Sequence, residues 1–214
     1  MEHKSDQAYL EEIQAWREQL DESIRAENGW LALAGLYWLD EGDHSVGHSS
    51  DCAITLPFEN APDLLGVFTR SGRRVLFQAN EDLEVSINGQ PGSRKWLAAD
   101  TEPDPDFITY DDLRLVIIQR GKQVGIRIWN NRRDERTSFP GRVWYPVKSE
   151  FILDAKLLQP QTFQTIMVPD VLGHHSEEEV IGEILFTHAG VEGRLQALEA
   201  SKGLAFIIFS DQSN

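Results

Sequence analysis

Apolar positions in the first part of the chain fall on a single helical stripe. Between Ala8 and Arg25 they are Tyr9, Leu10, Ile13, Trp16, Leu20 and Ile24. Spacings of one, three, three, four and four residues fit the 3.6-residue period of a helix with one covered face. Ser5 or Asp6 is placed to cap it, and Glu11 and Glu12 lie toward the positive end of its dipole. Asn28-Gly29 supplies the stop, because both residues tolerate a left-handed backbone. Trp30 to Leu39 is almost wholly apolar, and periodicity fits a short helix or a buried strand equally well.

From Gly42 the period changes. Short apolar stretches at Asp43–Val46, Ala53–Leu56, Gly66–Thr69, Arg74–Gln78, Val85–Ile87, Phe107–Thr109, Leu113–Gln119 and Val124–Trp129 read as strands. Ser71-Gly72, Asn88-Gly89, Asp111-Asp112 and Arg120-Gly121 lie between them as turn signals. Strands so closely spaced, with no long helix between them, predict an antiparallel sandwich or barrel rather than a parallel α/β sheet. Thr101 to Asp106 holds two prolines among acids and reads as a stiff loop. After the turn at Phe139-Pro140-Gly141, further strands are predicted at Phe151–Leu158, Phe163–Val168, Glu183–Thr187, Arg194–Ala200 and Leu204–Phe209. His174 to Glu179 reads as a polar loop interrupting them. The last apolar run stops just before Asp211, which implies an exposed strand edge or a neighbour that protects it.

Composition narrows the function classes. At 214 residues, the chain has room for one domain or two small ones. Twenty Lys and Arg face 35 Asp and Glu, a net charge of −15. A field of that sign repels nucleic-acid phosphates and anionic lipid, so neither is an expected partner. One cysteine, Cys52, excludes an intrachain disulfide and a cysteine-only zinc site. No apolar run approaches the roughly 20 residues of a spanning helix, and the polar start carries no signal-peptide pattern, so the expected location is cytoplasmic.

Two resemblances follow from particular residues. Gly42 to Leu56, with Gly47-His48 before Asp51 and an alternating strand, resembles the opening of a forkhead-associated domain, and Ser86-Ile87-Asn88-Gly89 resembles a later turn of that fold. Residues 42–129 have about the right length for such a sandwich. Across nearly the whole chain, Tyr9 to Arg17, Gly29 to Leu39, Arg120-Gly121 with Gly125-Ile126-Arg127, and Phe139-Pro140-Gly141 leading to Tyr145-Pro146-Val147 are similar to the bacterial and archaeal family called domain of unknown function 1684. That resemblance implies a mostly β protein with an N-terminal helix, and it carries no established activity. Members usually continue past the aspartate matching Asp211 into a segment rich in Asn, Tyr, Pro and Cys. An activity residing there is expected to be missing or changed here.

Candidate chemistry is sparse. A forkhead-associated domain holds phosphothreonine with an arginine fork and a serine hydroxyl; the arginine position here is His48, and no Ser-x-x-His follows. A structural role for that turn is therefore expected. Arg127, Arg132, Arg133, Arg136 and Arg142 form the one basic cluster, a candidate site for a carboxylate or phosphate ligand; the preferred reading pairs them with acids such as Asp134 and Glu135 on a solvated face. His174-His175 with Glu177 to Glu179 lacks metal-binding spacing, and neither a metal nor a cofactor is expected. Cys52 is expected as a small buried apolar residue. Asp104, Asp106, Asp111 and Asp112 hold the formal possibility of an acid/base pair. The six tryptophans, three of them in or just after the helix, are expected to pack in the core.

The expectation is an all-β, mainly antiparallel protein: an N-terminal helical segment at 1–40, a forkhead-associated-like sandwich at 41–135, and additional strands packed on it at 136–214. The function expected is a non-catalytic binding or interaction module that uses loops at one end of the sandwich. The alternative is an enzyme acting on an anionic small molecule through the arginines. A protein partner or such an anion is the expected ligand.

Overall fold

The amphipathic stripe becomes α1 (Asp6–Arg25), and the chain leaves it through Asn28 at φ 57°. Residues 6–169, 175–201 and 204–208 are described by the computed structural model of the chain. The apolar stretch that periodicity left open is a single 3-10 turn, Trp30–Ala32, followed by a strand, β1 (Leu33–Trp38). The turn-punctuated region then supplies β2 (Gly42–Gly47), β3 (Ile54–Thr55), β4 (Gly66–Ser71), β5 (Arg74–Ala79), β6 (Ser86–Ile87), β7 (Gln90–Pro91), β8 (Arg94–Leu97), β9 (Phe107–Tyr110), β10 (Leu113–Arg120) and β11 (Gln123–Asn130). β7 and β8 had no apolar signal of their own. They are short edge strands, with Pro91 in β7 and Arg94-Lys95 in β8 where an exposed edge favours such residues.

Two sheets result. One has the order β1-β11-β10-β9-β6-β7, the other β3-β2-β4-β5-β8, and among these strands only the short β2–β3 ladder is parallel. Alternate residues face inward from both sheets. Leu113, Leu115 and Ile117 of β10 and Val124, Ile126 and Ile128 of β11 share one core with Val46, Phe68, Val75 and Phe77 of the other sheet. The Phe68 and Phe77 rings lie 4.7 Å apart. Each such side chain contributes about 1.5–3 kcal/mol on burial, so this core holds the sandwich together. Hairpin turns sit where glycine, Asn or Asp accepts positive φ: Asn88-Gly89 at 53° and 75°, and Asp111 at 50°.

The chain divides into two compact units, Glu11–Trp144 with the sandwich, and Met1–Leu10 with Tyr145–Asn214. Just before the boundary lies α2 (Asp134–Ser138). In the second unit, β12 (Ala155–Leu158), β14 (His175–His188), β15 (Val191–Ser201) and β16 (Leu204–Phe206) form an antiparallel series, while β13 (Thr165–Pro169) pairs with the first half of β14. This corrects the polar loop expected at 174–179. His175 to Glu179 belong to β14, opposite Thr165 to Pro169; His174 lies outside the described residues. Exposed backbone ladders tolerate a run of glutamates, so polarity alone misread the segment.

The tryptophans are a second correction. None belongs to the core; Trp30 is 74% exposed, and Trp16 instead packs on Trp144 with ring centroids 5.7 Å apart. β-Branched and leucine side chains with two phenylalanines fill the layer between the sheets, which leaves the indoles to the periphery. Cys52 is partly exposed rather than buried, its thiol 3.4 Å from the Asp63 carbonyl oxygen. No described helix is long and apolar enough to cross a membrane.

Candidate functional site

One end of the sandwich is built from long loops rather than tight turns. Residues 48–53 connect β2 to β3, 56–65 connect β3 to β4, and 80–85 connect β5 to β6. They are tied to one another through their backbones. His48 N–H donates to Pro62 O at 2.7 Å, Ser49 N–H to Asp63 O at 3.1 Å, and Asn80 N–H to Leu65 O at 3.0 Å. The Asn80 side-chain amide adds a bond to Leu64 O at 3.1 Å. Gly47 permits this closure. A Cβ there would lie 2.1 Å from Asp63 O, so no larger residue fits beneath the crossing loop. Asn60 and Asn130 exchange side-chain amide bonds at 3.3 and 3.0 Å, which fixes the 56–65 loop to the end of β11.

The surface of this end carries one sign of charge. Asp51, Glu59, Asp63, Glu81, Asp82 and Glu84 are exposed, and neither 48–65 nor 79–93 contains a Lys or Arg. His48, at the place where a phosphate-binding arginine was sought, is exposed and has its Nδ1 3.0 Å from Leu56 O. That bond helps close the loop, consistent with a structural role for the turn.

The opposite end holds a cleft of about 760 Å³ lined in part by Arg73, Arg74, Lys95, Trp96 and Asp106. Asp106, only 4% exposed, accepts bonds from Asn88 Nδ2 at 2.5 Å, Lys95 Nζ at 2.8 Å and Ala98 N–H at 2.9 Å. Burial alone would raise its carboxyl; the Ala98 N–H, Lys95 and Asn88 outweigh that and hold it below the usual carboxylate value. Asn88 Oδ1 in turn accepts Phe107 N–H at 2.8 Å. Every strong interaction of this aspartate thus ties chain segments together. Asp111 and Asp112 are both engaged by Arg132.

The five arginines of the basic cluster are distributed differently from one another. Arg132 bridges Asp111 and Asp112 at 2.9 and 2.8 Å, and Arg142 bonds Asp21 at 2.7 Å. Arg133 pairs with Glu135, although its Nε is shielded from solvent without an acceptor. Arg136 donates to the carbonyls of Arg25, at 3.0 Å, and Asn131. Arg127 stands apart on β11, its guanidinium 5.9 Å from the Trp129 ring. The structure places beside it a residue outside that cluster, Arg114, which sits 3.7 Å over the Phe107 ring with its Nε shielded and without an acceptor. Burial pushes the Arg114 guanidinium below its ordinary value. An unmet buried donor costs about 1–3 kcal/mol, more when charged. Among the described residues, no His, Cys, Asp and Glu side chains cluster as metal ligands.

These features define an all-β protein built on a six-on-five, mainly antiparallel sandwich, with an N-terminal helix. Residues 137–214 match the family described as "Protein of unknown function (DUF1684)". The resemblance drawn from residues along nearly the whole chain is therefore matched over its C-terminal part. No curated protein matches the chain. Among solved structures it is similar to the FhaA FHA domain complexed with the intracellular domain of Rv3910, at 17% identity over 44% of this chain and 96% of that one, with a TM-score of 0.30. It is also similar to a domain from a structural and functional analysis of phosphothreonine-dependent FHA domain interactions, at 16% identity over 44% and 92%, TM-score 0.30. A third, the Rv0020c FHA structure, has 16% identity over 44% and 89%, TM-score 0.29.

Proposed function

We propose that the sandwich, residues 41–135, is a non-catalytic protein-interaction module that engages its partner through the loop end formed by residues 48–65 and 80–85. The observation that carries this reading is the mutual bonding of those loops. Their backbone bonds, and the close approach at Gly47, hold irregular chain in one fixed surface. Loops immobilised on a rigid scaffold bind with little ordering entropy left to lose. The six exposed carboxylates, with no basic residue in the same segments, favour a partner that presents Lys or Arg. A phosphorylated partner is disfavoured by that same charge.

Peptide arrays probed with the full chain test this. Lys/Arg-rich peptides are expected to bind, with affinity falling as salt rises, and phosphothreonine peptides are not. Charge reversal at Glu59, Asp63, Glu81 and Asp82 should weaken binding at least tenfold while the fold persists. Equal binding by the reversed variant contradicts the reading.

A further inference from the structure

The outward face of the six-stranded sheet carries two cations that have no ion-pair partner among the described residues. In β10 the residues alternating with the core positions are Arg114, Val116 and Ile118; in β11 they are Gly125, Arg127 and Trp129. The register sets Arg114 opposite Trp129 and Val116 opposite Arg127, so the two arginines are diagonal neighbours on one face. Diagonal positions lie about 7–8 Å apart, within joint reach of one small group held between two guanidinium forks. Neither guanidinium has a hydrogen bond or an ion pair among the described residues, whereas Arg132, Arg133 and Arg142 each have a carboxylate partner.

Around the pair, the face is apolar and partly aromatic. Val116 and Ile118 are buried although they lie on the side away from the sandwich core. Gly125 keeps room for the Trp38 ring, which lies 2.8 Å from where a Cβ would stand. Leu36, opposite Arg127 on β1, is 43% exposed. The Arg114 fork lies over Phe107 and that of Arg127 beside Trp129, so both are held by stacking and not by charge pairing. The chain has a net charge of −15, yet among the described residues no carboxylate pairs with either of these two groups.

We propose that Arg114 and Arg127 form a binding site for a carboxylate or phosphate oxyanion carried on a flat or apolar body, with the oxyanion between the two forks and the body against Trp38, Leu36 and Trp129. Guanidinium groups match both oxyanions bidentately through their terminal amino groups. This site lies on a sheet face and does not depend on the loop-end reading.

The test is a titration of the full chain carrying ¹⁵N-labelled arginine, followed at the Nε–H signals. Phenyl phosphate and benzoate present each oxyanion on a ring; inorganic phosphate and benzamide present the charge and the ring separately. The Arg114 and Arg127 signals, assigned with R114K and R127K, are expected to move saturably with phenyl phosphate or benzoate, the stronger of the two identifying the oxyanion. Benzamide should leave them in place, and bare phosphate should need at least tenfold higher concentration. R127Q is expected to raise the apparent Kd at least tenfold and R132Q to leave it unchanged. Fixed signals with both ring anions overturn the proposal. So does an equal response to bare phosphate or benzamide, or an R132Q variant that loses the response. Should R127Q fail to fold, the wild-type signals alone decide.

Discussion

At the scale of single residues, Asp106 and Gly47 are the positions on which most local structure converges. Asp106 is buried, with three donors on its two oxygens. D106N removes the charge from Lys95 and turns one acceptor into a donor, and should lower stability at neutral pH by about 2 kcal/mol. The pH dependence has a definite sign. The folded carboxyl is held below the ordinary 3.8, so its contribution is complete above that value and is lost as pH falls through the folded one. Urea denaturation across the acid range should therefore show wild type and D106N converging at low pH. A constant gap would mean that the carboxylate charge is not what the site stabilises. G47A sends a methyl group into the Asp63 carbonyl; thermal unfolding should show a loss of at least about 1–3 kcal/mol.

At the scale of elements, the join between β11 and the 56–65 loop is a pair of side-chain amides. N60A leaves the buried Asn130 amide, and N130A the half-buried Asn60 amide, without its partner, and each should cost about 1–2 kcal/mol; the double variant should cost less than the sum. Asn130 also accepts Arg132 N–H at 3.0 Å, so N130A should be the worse of the two. What was legible in the sequence follows the same logic. α1 and the strands from β2 to β11 that face the core announced themselves by period, since burial on one face writes that period into the chain. β7 and β8 did not, because an edge strand in water has no such pattern to keep. The acidic half of β14 was invisible for a related reason: both its faces are exposed, so composition mimics a loop. Arg114 was missed because its significance is relational. It sits thirteen positions before Arg127 in sequence and becomes its neighbour only through the β10–β11 register. The tryptophans misled because large aromatics were assigned to a core that aliphatic residues already fill.

For the whole molecule, charge and apolar burial are distributed unevenly. The sandwich has an extensive core, whereas among the described residues of the unit with Tyr145–Asn214 the fully buried apolar side chains are Val180, Ala197 and Leu198. Amide exchange on the full chain should accordingly be slowest in β10 and β11 and faster through β12 to β16. Uniform protection across both would contradict that division. Segments 48–65 and 79–93 of the loop end hold carboxylates and no Lys or Arg, and the sheet face holds two arginines without an acidic partner among the described residues, so the two surfaces differ in sign.

The reading of the sandwich as an interaction module is tested most directly by mapping amide shifts of the full chain as a Lys/Arg-rich peptide is added. The account predicts saturable shifts concentrated in residues 48–65 and 80–85, diminishing as salt is raised. Shifts centred on the cleft at Arg94 to Asp106, or none at any peptide concentration, would contradict it.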